Sequence, residues 1–374
     1  MSAPAVPPAL EVEGLCKHFP LKRGVLGALL RRPARVVHAV DGVSFRLARG
    51  EVLALVGESG CGKTTIAMTL MGLLEADQGT IRFGGRAVSH LGEIEPPATI
   101  APLSGARPRL RPRPRHFPTA SLKRLRRQIQ MIFQDPYESL NPRATVYETV
   151  VEPLVVHGLA AGRGEREARV LQALDDAGLK PPEDFLGRLP HELSGGQRQR
   201  VVIAAALVLG PSLLIADEPV SMLDVSIRAE ILNLLDDLRR RRGISILYIT
   251  HDLGTAAYFT DRIAVMYLGR IVECGPTRAV LADPQHPYTR ALLSVIPVPN
   301  PRQRRKRTIL QGETPNPVDL PQGCRFRPRC PVAEARCAAT DPQLAEVADD
   351  HRVACLLAPG YRPSAGSTRL QDEE

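Results

Sequence analysis

The 374-residue chain contains no tryptophan, and its aromatic content is only 4%. Its core must therefore come mostly from leucine, valine, isoleucine and alanine. Long apolar runs are missing as well. The most hydrophobic stretch, 201–209, is about half of the ~20 residues that cross a bilayer. The opening "MSAPAVPPALEVEGL" lacks a basic start followed by an apolar run, so it does not read as a secretory signal. The expected address is soluble and cytosolic. Cysteine is scarce, at seven residues, yet four gather near one end: Cys324, Cys330 and Cys337 in "GCRFRPRCPVAEARC", then Cys355. In a reducing compartment such a group favours metal ligation over disulfides.

One stretch has no acid. The net charge is +9, from 49 basic and 40 acidic residues, but 96–134 holds nine Lys or Arg and no Asp or Glu. The remainder balances at 40 against 40, so bulk basicity says little about a partner. Within this stretch "PRLRPRPRHFP" cannot build a packed core. Residues 86–128 are expected to form a solvated loop; contact with anionic lipid headgroups or nucleic acid is the sharper alternative.

What is present reads as globular, with 44% hydrophobic and 24% charged residues. The length suggests roughly two to three units. "EVLALVG" is a buried-strand run, "GESGCGKTT" a glycine-rich turn, "TIAMTLMGLL" a helix and "GTIRFGG" a further strand. Residues 140–210 read as mostly helical. Beyond 211, "SLLIADE", "ISILYIT", "IAVMYLG" and "RIVECG" read as strands and "IRAEILNLLDDLRRR" as a helix. Such alternation predicts a parallel sheet covered on both faces. From about 297 the chain turns Pro-, Arg- and Cys-rich, which predicts a separate small unit. The expected division is a tail at 1–9, a body at 10–296, an extension at 297–358 and a tail at 359–374. The body contains the 86–128 insertion and a helical part at about 140–210.

"GESGCGKT", 57–64, fits the phosphate-loop pattern G-x-x-x-x-G-K-[ST]. Gly57, Gly60 and Gly62 let backbone N–H groups turn toward phosphate oxygens, with Glu58, Ser59 and Cys61 between them. Cys61 reads as a space-filler. Lys63 neutralises the β- and γ-phosphates, and the Thr64 hydroxyl can ligate Mg²⁺. Thr65 continues into a helix whose positive end faces the phosphates. "LLIADE" places Asp217 at the carboxyl end of a buried strand, where ligands meet a parallel sheet. Asp217 suits Mg²⁺, and Glu218 suits an attacking water.

"LSGGQRQR", 193–200, resembles the signature motif of ATP-binding-cassette ATPases. Gln134 in "MIFQDP" resembles their Q-loop, "SMLD" at 221–224 their D-loop, and His251 in "ITHD" their switch histidine. The resemblance covers about 10–358. It implies an α/β fold of P-loop cassette type, with a RecA-like parallel sheet core, a β-subdomain and a helical signature subdomain. It also implies Lys63, Gln134, Glu218 and His251 as catalytic residues. ATP would be bound by Phe19 on the adenine, by 57–65, by Gln134 and, from across a dimer, by Leu193, Ser194, Gly195, Gly196, Gln197 and Asp224. Mg²⁺ would take Thr64, Gln134 and Asp217. In this family two cassettes sandwich two ATPs, each signature closing on the other's nucleotide.

"HPYTRALLSVIP" and "LQGETPNPVDLPQGCRFRPRC" resemble the C-terminal extension of oligopeptide and dipeptide importer ATPases. "QMIFQDPYESLNPR" is closer to their second, F-type ATPase. This implies ATP-driven import of di- and oligopeptides from a peripheral position on the cytoplasmic face of the cell membrane. The implied partners are a D-type ATPase, two permeases and, indirectly, an extracytoplasmic peptide-binding protein; no nucleic acid is expected. The segment after Gln134, to about 150, would receive the permease. Two alternatives are a soluble cassette ATPase acting on nucleic acid or ribosomes, and the ATPase of a nickel or sugar importer.

The cysteine spacing is x5, x6 and x17, wider than the paired spacing of structural zinc sites. Four thiolates can complete a Zn²⁺ site or a [4Fe–4S] cluster. Several proteins of this resemblance carry the cluster in the extension, which favours it for Cys324, Cys330, Cys337 and Cys355, with Zn²⁺ as the alternative. The arginines of "RFRPR" are expected to offset the charge of a thiolate-bound cluster. Cys16 and Cys274 read as ordinary small residues.

Overall fold

A computed structural model describes residues 6–21, 35–88, 119–296, 310, 312–313 and 315–362. Twelve strands form two sheets among them. β1 (Leu10–Pro20), β2 (Val36–Leu47), β4 (Gln78–Phe83) and β5 (Arg86–Ala87) make an antiparallel sheet in the order β2-β1-β4-β5. The second sheet runs β11-β12-β10-β9-β3-β8-β7-β6. Its strands are β3 (Val52–Val56), β6 (Ile129–Ile132), β7 (Leu213–Asp217), β8 (Ser245–Thr250), β9 (Arg262–Tyr267), β10 (Arg270–Pro276), β11 (Ala345–Ala348) and β12 (His351–Val353). From β9 to β6 all pairs are parallel. β10, β12 and β11 add an antiparallel edge.

β3, β7 and β8 are buried along their whole length, as central parallel strands must be. Alternating side chains of β3 feed two cores. Val52, Ala54 and Val56 face the helical side; Leu53 and Leu55 face the antiparallel sheet and the helix Lys63–Leu70. The helical part is built from Val146–His157, Arg163–Asp176 and Gly195–Leu207, joined through Val150, Leu154, Val170, Leu174 and Val201. The first of these helices starts at a reciprocal cap. Thr145 Oγ1 accepts from the Glu148 N–H at 3.2 Å, and Glu148 Oε2 accepts from the Thr145 N–H at 2.8 Å.

Two expectations change. The 86–128 stretch is not loop throughout: β5 opens it and a helix, Thr119–Gln128, closes it. Its composition is basic, but Leu125 packs on the core. Arg126 donates to the Met71 and Gly72 carbonyls at 3.3 and 3.1 Å, tying this helix to the end of the phosphate helix. The Pro/Arg-rich middle, 89–118, lies outside the described residues. The extension was expected to be separate, yet β12 pairs with β10 of the main sheet. Phe326, 2% exposed, sits in the main core against Tyr267 and Tyr288, at ring distances of 5.2 and 5.5 Å. Burying one large aromatic this way stabilises by a few kcal/mol, about 3–5 by the cost of its loss. That explains why a tract poor in regular structure docks rather than dangles.

Candidate functional site

The phosphate loop leaves the buried end of β3 and enters the helix Lys63–Leu70 through Gly62. Gly62 has φ 109° and its Cα faces the Ala39 carbonyl, with which any Cβ would collide. Only glycine serves there. Lys63 is buried, and its Nζ donates to the Gly57 and Glu58 carbonyls at 2.7 and 3.0 Å. The charge is thus held inside the loop's own curve, where phosphate oxygens would lie. Cys61 is buried under the loop with Sγ 3.7 Å from Lys63 Nζ, and burial pushes its thiol pKa up. Its backbone carbonyl accepts from the Gly269 N–H at 3.0 Å.

Asp217 ends β7 at 4% exposure. Burial pushes its carboxyl pKa up and neighbouring Glu218 adds to this, while a hydrogen bond with the Thr64 hydroxyl works against both. Two of the three expected magnesium ligands are therefore already in contact. Glu218 follows with φ 47°, a backbone state unusual for a non-glycine residue. Its N–H is bonded to the Ile249 carbonyl at 2.9 Å, which fixes the turn. Its Oε2 accepts from Gln134 Nε2 at 3.3 Å and stands 3.0 Å from His251 Nδ1. The structure thus gathers Gln134, Glu218 and His251 from the ends of β6, β7 and β8. Glu218 and His251 open onto a cleft also lined by Arg228, Thr255 and Ile296.

Ser194 caps the helix Gly195–Leu207: its Oγ accepts from the Gln197 N–H at 3.3 Å, and Gln197 Oε1 accepts from the Ser194 N–H at 2.9 Å. Gly196 packs under Ile227, and Leu193 is buried. Ser194 and Asp224 are exposed, as is the Ser194 cap that begins a helix N-terminus able to meet an anion. Arg198 lies over the Tyr137 ring at 4.3 Å, joining this helix to the segment after Gln134. Phe19 lies on β1, half-exposed, with Lys17 Nζ 5.4 Å from its ring centre.

Cys324, Cys330, Cys337 and Cys355 line one small cavity with His286, Phe326 and Arg327. The Cys324 N–H bonds to the Cys337 carbonyl at 2.9 Å. Gly323, at φ 68°, permits this approach; a Cβ there would collide with the Cys337 and Ala338 carbonyls. Burial pushes the Cys324 thiol up to about 11, and raises those of Cys330 and Cys355, with the other cysteines adding. Four thiols lining one cavity form a donor set of the soft kind that thiophilic metals take. No three of the four sulfurs lie within 4.8 Å of one another. Tetrahedral zinc with Zn–S about 2.3 Å would need them about 3.8 Å apart.

Two of the three "RFRPR" arginines depart from expectation, while Arg327 lines the cysteine cavity. Arg325 reaches the Asp41 carboxylate and donates to the Leu268 carbonyl at 2.6 Å. Arg329 pairs with Glu58 at 2.9 Å. Both serve the body of the protein rather than the cysteines. The one described group with three potential metal-ligand atoms within 4.8 Å is Cys16, His18 and Asp41. Its carboxylate already holds Arg270 and Arg325, so it reads as an ion-pair node.

Sequence reasoning also missed the "HPYT" contacts. The Tyr288 hydroxyl accepts from the Glu58 N–H at 3.0 Å. His286 Nδ1 caps Tyr288 at 3.1 Å. The buried Glu273 carboxylate accepts from the Gln285 and His286 N–H groups at 2.6 and 3.0 Å and contacts His351 Nε2 at 2.8 Å. The repeated appearance of polar residues in an otherwise apolar docking segment was the available signal.

Residues 40–221 match the family model described as ABC transporter, and 272–337 match that of the oligopeptide/dipeptide transporter C-terminal region. A peptide import ATP-binding protein of Brucella ovis is 45% identical over 93% of this chain and 98% of its own length. The oligopeptide transport ATP-binding protein AppF of Bacillus subtilis is 43% identical over 93% and 97%. Among solved structures, cbiO1 of Clostridium perfringens, part of an ABC transporter complex, is 28% identical with TM-score 0.57, over 74% of this chain and 92% of its own. The dimeric ABC transporter cassette MJ0796 is 26% identical with TM-score 0.55, over 72% and 99%.

Proposed function

The chain belongs to the ABC transporter ATPases and carries the C-terminal region of the oligopeptide and dipeptide transporters; from this premise we propose that it hydrolyses ATP to drive peptide import. The observation that carries the reading is the meeting of Gln134, Glu218 and His251 beside a complete phosphate loop. Lys63 binds the phosphates. Glu218 orients and deprotonates the attacking water, His251 holds the Glu218 carboxylate in place, and Gln134 links that carboxylate to the segment reaching toward the permeases. Thr64 and Asp217 would hold Mg²⁺, which when bound offsets charge on the transferring phosphoryl group. The signature at Ser194 is bonded within its own helix and exposed, so it is available to the nucleotide of a second cassette.

The subunit works with permeases as part of a dimeric cassette pair. The finer reading is a D-type partner ATPase in an ATP-sandwich heterodimer, an extracytoplasmic peptide-binding protein, and a peripheral position on the cytoplasmic membrane face. In keeping with this, no helix among the described residues is long and apolar enough to cross a membrane. The division at 296–297 stays part of this reading, although the two parts share a sheet and the matched C-terminal region begins at 272. Phe19 is the proposed adenine-stacking residue. For the cysteines, the four-thiol donor set around one cavity is what the reading of a [4Fe–4S] cluster rests on, with zinc as the alternative.

Glu218→Gln keeps the size and loses the charge. ATP turnover of the assembled transporter should fall at least about a hundredfold, with ATP binding retained. Unchanged turnover would remove Glu218 from the reaction. For the cysteines, anaerobically purified protein should be brown and hold iron and sulfide near four per chain, lost in Cys330→Ser. One zinc and no colour would favour the alternative.

A further inference from the structure

Arg329 lies across the Glu58 carboxylate in a two-pronged contact. Nη1 donates to Oε2 at 2.9 Å and Nη2 to Oε1 at 3.2 Å. Such a fork fixes orientation as well as charge. The guanidinium also sits over the Tyr267 ring, 5.9 Å from its centre. The side chains of Arg329 and Glu58 are 9% and 27% exposed, so water competes weakly for this pair. A second tie comes from the same side, since the Tyr288 hydroxyl accepts from the Glu58 N–H at 3.0 Å. The side chain of Glu58 is therefore held from the extension, and its backbone from the helix Pro287–Ser294 that precedes it.

Glu58 is the second residue of the phosphate loop, and its carbonyl accepts from Lys63 Nζ at 3.0 Å. The path from Arg329 to the phosphate-binding lysine thus passes through one residue. Without Arg329, the Glu58 carboxylate would lose the fork that fixes its orientation, and more of the loop would have to be ordered when the nucleotide arrives.

We propose that Arg329 is a positioning residue of the nucleotide site: with Tyr288 it holds Glu58, and so the phosphate loop, in the form that receives ATP. The cysteine-bearing extension thereby sets nucleotide affinity, because Arg329 adjoins Cys330 and lies in the short turn between Cys324 and Cys330. The proposal rests on the ATP-site reading above, not on what the cysteines hold.

Its test is a double-mutant cycle on the full chain, with Glu58→Gln, Arg329→Gln and the pair together. The readouts are binding of a fluorescent ATP analogue with Mg²⁺, and KM and kcat in the assembled transporter. Each single change should weaken binding about tenfold. The double variant should be no weaker than either single one, and in Arg329→Gln the loss should fall on KM rather than on kcat at saturating ATP. Arg329→Lys keeps the charge and loses the fork, and it should fall with Arg329→Gln. The proposal is overturned if both single variants bind normally, if their losses add, or if Arg329→Lys restores full affinity. It is also overturned if Glu58→Gln tightens binding while Arg329→Gln weakens it, since bare charge alone does that. Lys63→Ala separates the two levels: normal nucleotide binding there would overturn the ATP-site reading itself.

Discussion

The phosphate loop and the C-terminal extension meet at Glu58, and they are made in opposite ways. The loop is one short run of sequence whose backbone does the shaping: Gly62 passes under the Ala39 carbonyl and Lys63 folds onto two loop carbonyls. The described residues of the extension have little regular structure of their own. It is held by side chains that reach far back along the chain, Arg329 to Glu58 over 271 residues and Arg325 to Asp41 over 284. A site built from neighbours tolerates no change in its backbone. A site built from distant pairs spreads its stability over several contacts, and each can be loosened separately.

The sharpest way to break the comparison is a single methyl group in the loop. Gly62→Ala places a Cβ into the Ala39 carbonyl at a φ of 109°. Strain and collision together should weaken ATP binding about a hundredfold or more. Because the fault is local, the fold should survive, and a circular-dichroism melt beside a nucleotide titration would separate the two. A melt that collapses with the binding would show that the loop is no more local than the extension.

In the extension the largest single effect should come from Phe326, which is buried among Tyr267, His286 and Tyr288. Phe326→Ala should cost about 3–5 kcal/mol of stability, measured by denaturant unfolding. It should also raise the KM for ATP, since Tyr288 and Arg329 lose the wedge that seats them. A loss of stability with an unchanged KM would separate docking of the extension from the nucleotide site.

The same contrast explains what could be read in advance. Phosphate chemistry demands adjacent residue types, so 57–64, Asp217–Glu218 and the signature cap all stood in short motifs, and the parallel core followed from the buried runs of β3, β7 and β8. Long-range pairs leave no such trace. Nothing beside Arg329 in the sequence names Glu58, and the "RFRPR" arginines read more naturally as partners of the nearby cysteines. The helix Thr119–Gln128 was hidden for another reason: basic and proline-rich surroundings outweighed the two leucines, Leu122 and Leu125, that seat it against Gly72 and the core. The antiparallel edge was hidden too, because β12 is only three residues long and meets β10 at two register positions.

The smallest of these effects is graded rather than all-or-none, and acid should produce it. Burial holds the His286 pKa down to about 4, against an ordinary value of 6.5. The unfolded chain therefore binds a proton there that the folded one refuses, and stability present above pH 6.5 is lost as the pH falls toward 4. By linkage the loss reaches about 3 kcal/mol near pH 4. Glu273 acts in the same direction at lower pH. Burial opposes its ionisation, but His351 and the Gln285 and His286 N–H groups outweigh that and hold its carboxyl below the usual range. Its share is present above pH about 4.5 and disappears as the pH drops through the depressed value. Both groups face the seam between β10 and the extension, whereas Asp217 beside the loop, its carboxyl raised by burial, gains stability as the pH falls. Unfolding followed at successive pH values should thus show the extension loosening before the loop loses its fold. His286→Asn retains a capping side chain without the titration, and should flatten the decline between pH 6.5 and 4 while leaving the lower limb, set by Glu273, in place. An unaltered decline in that variant would move the acid sensitivity out of the seam and into the body of the protein.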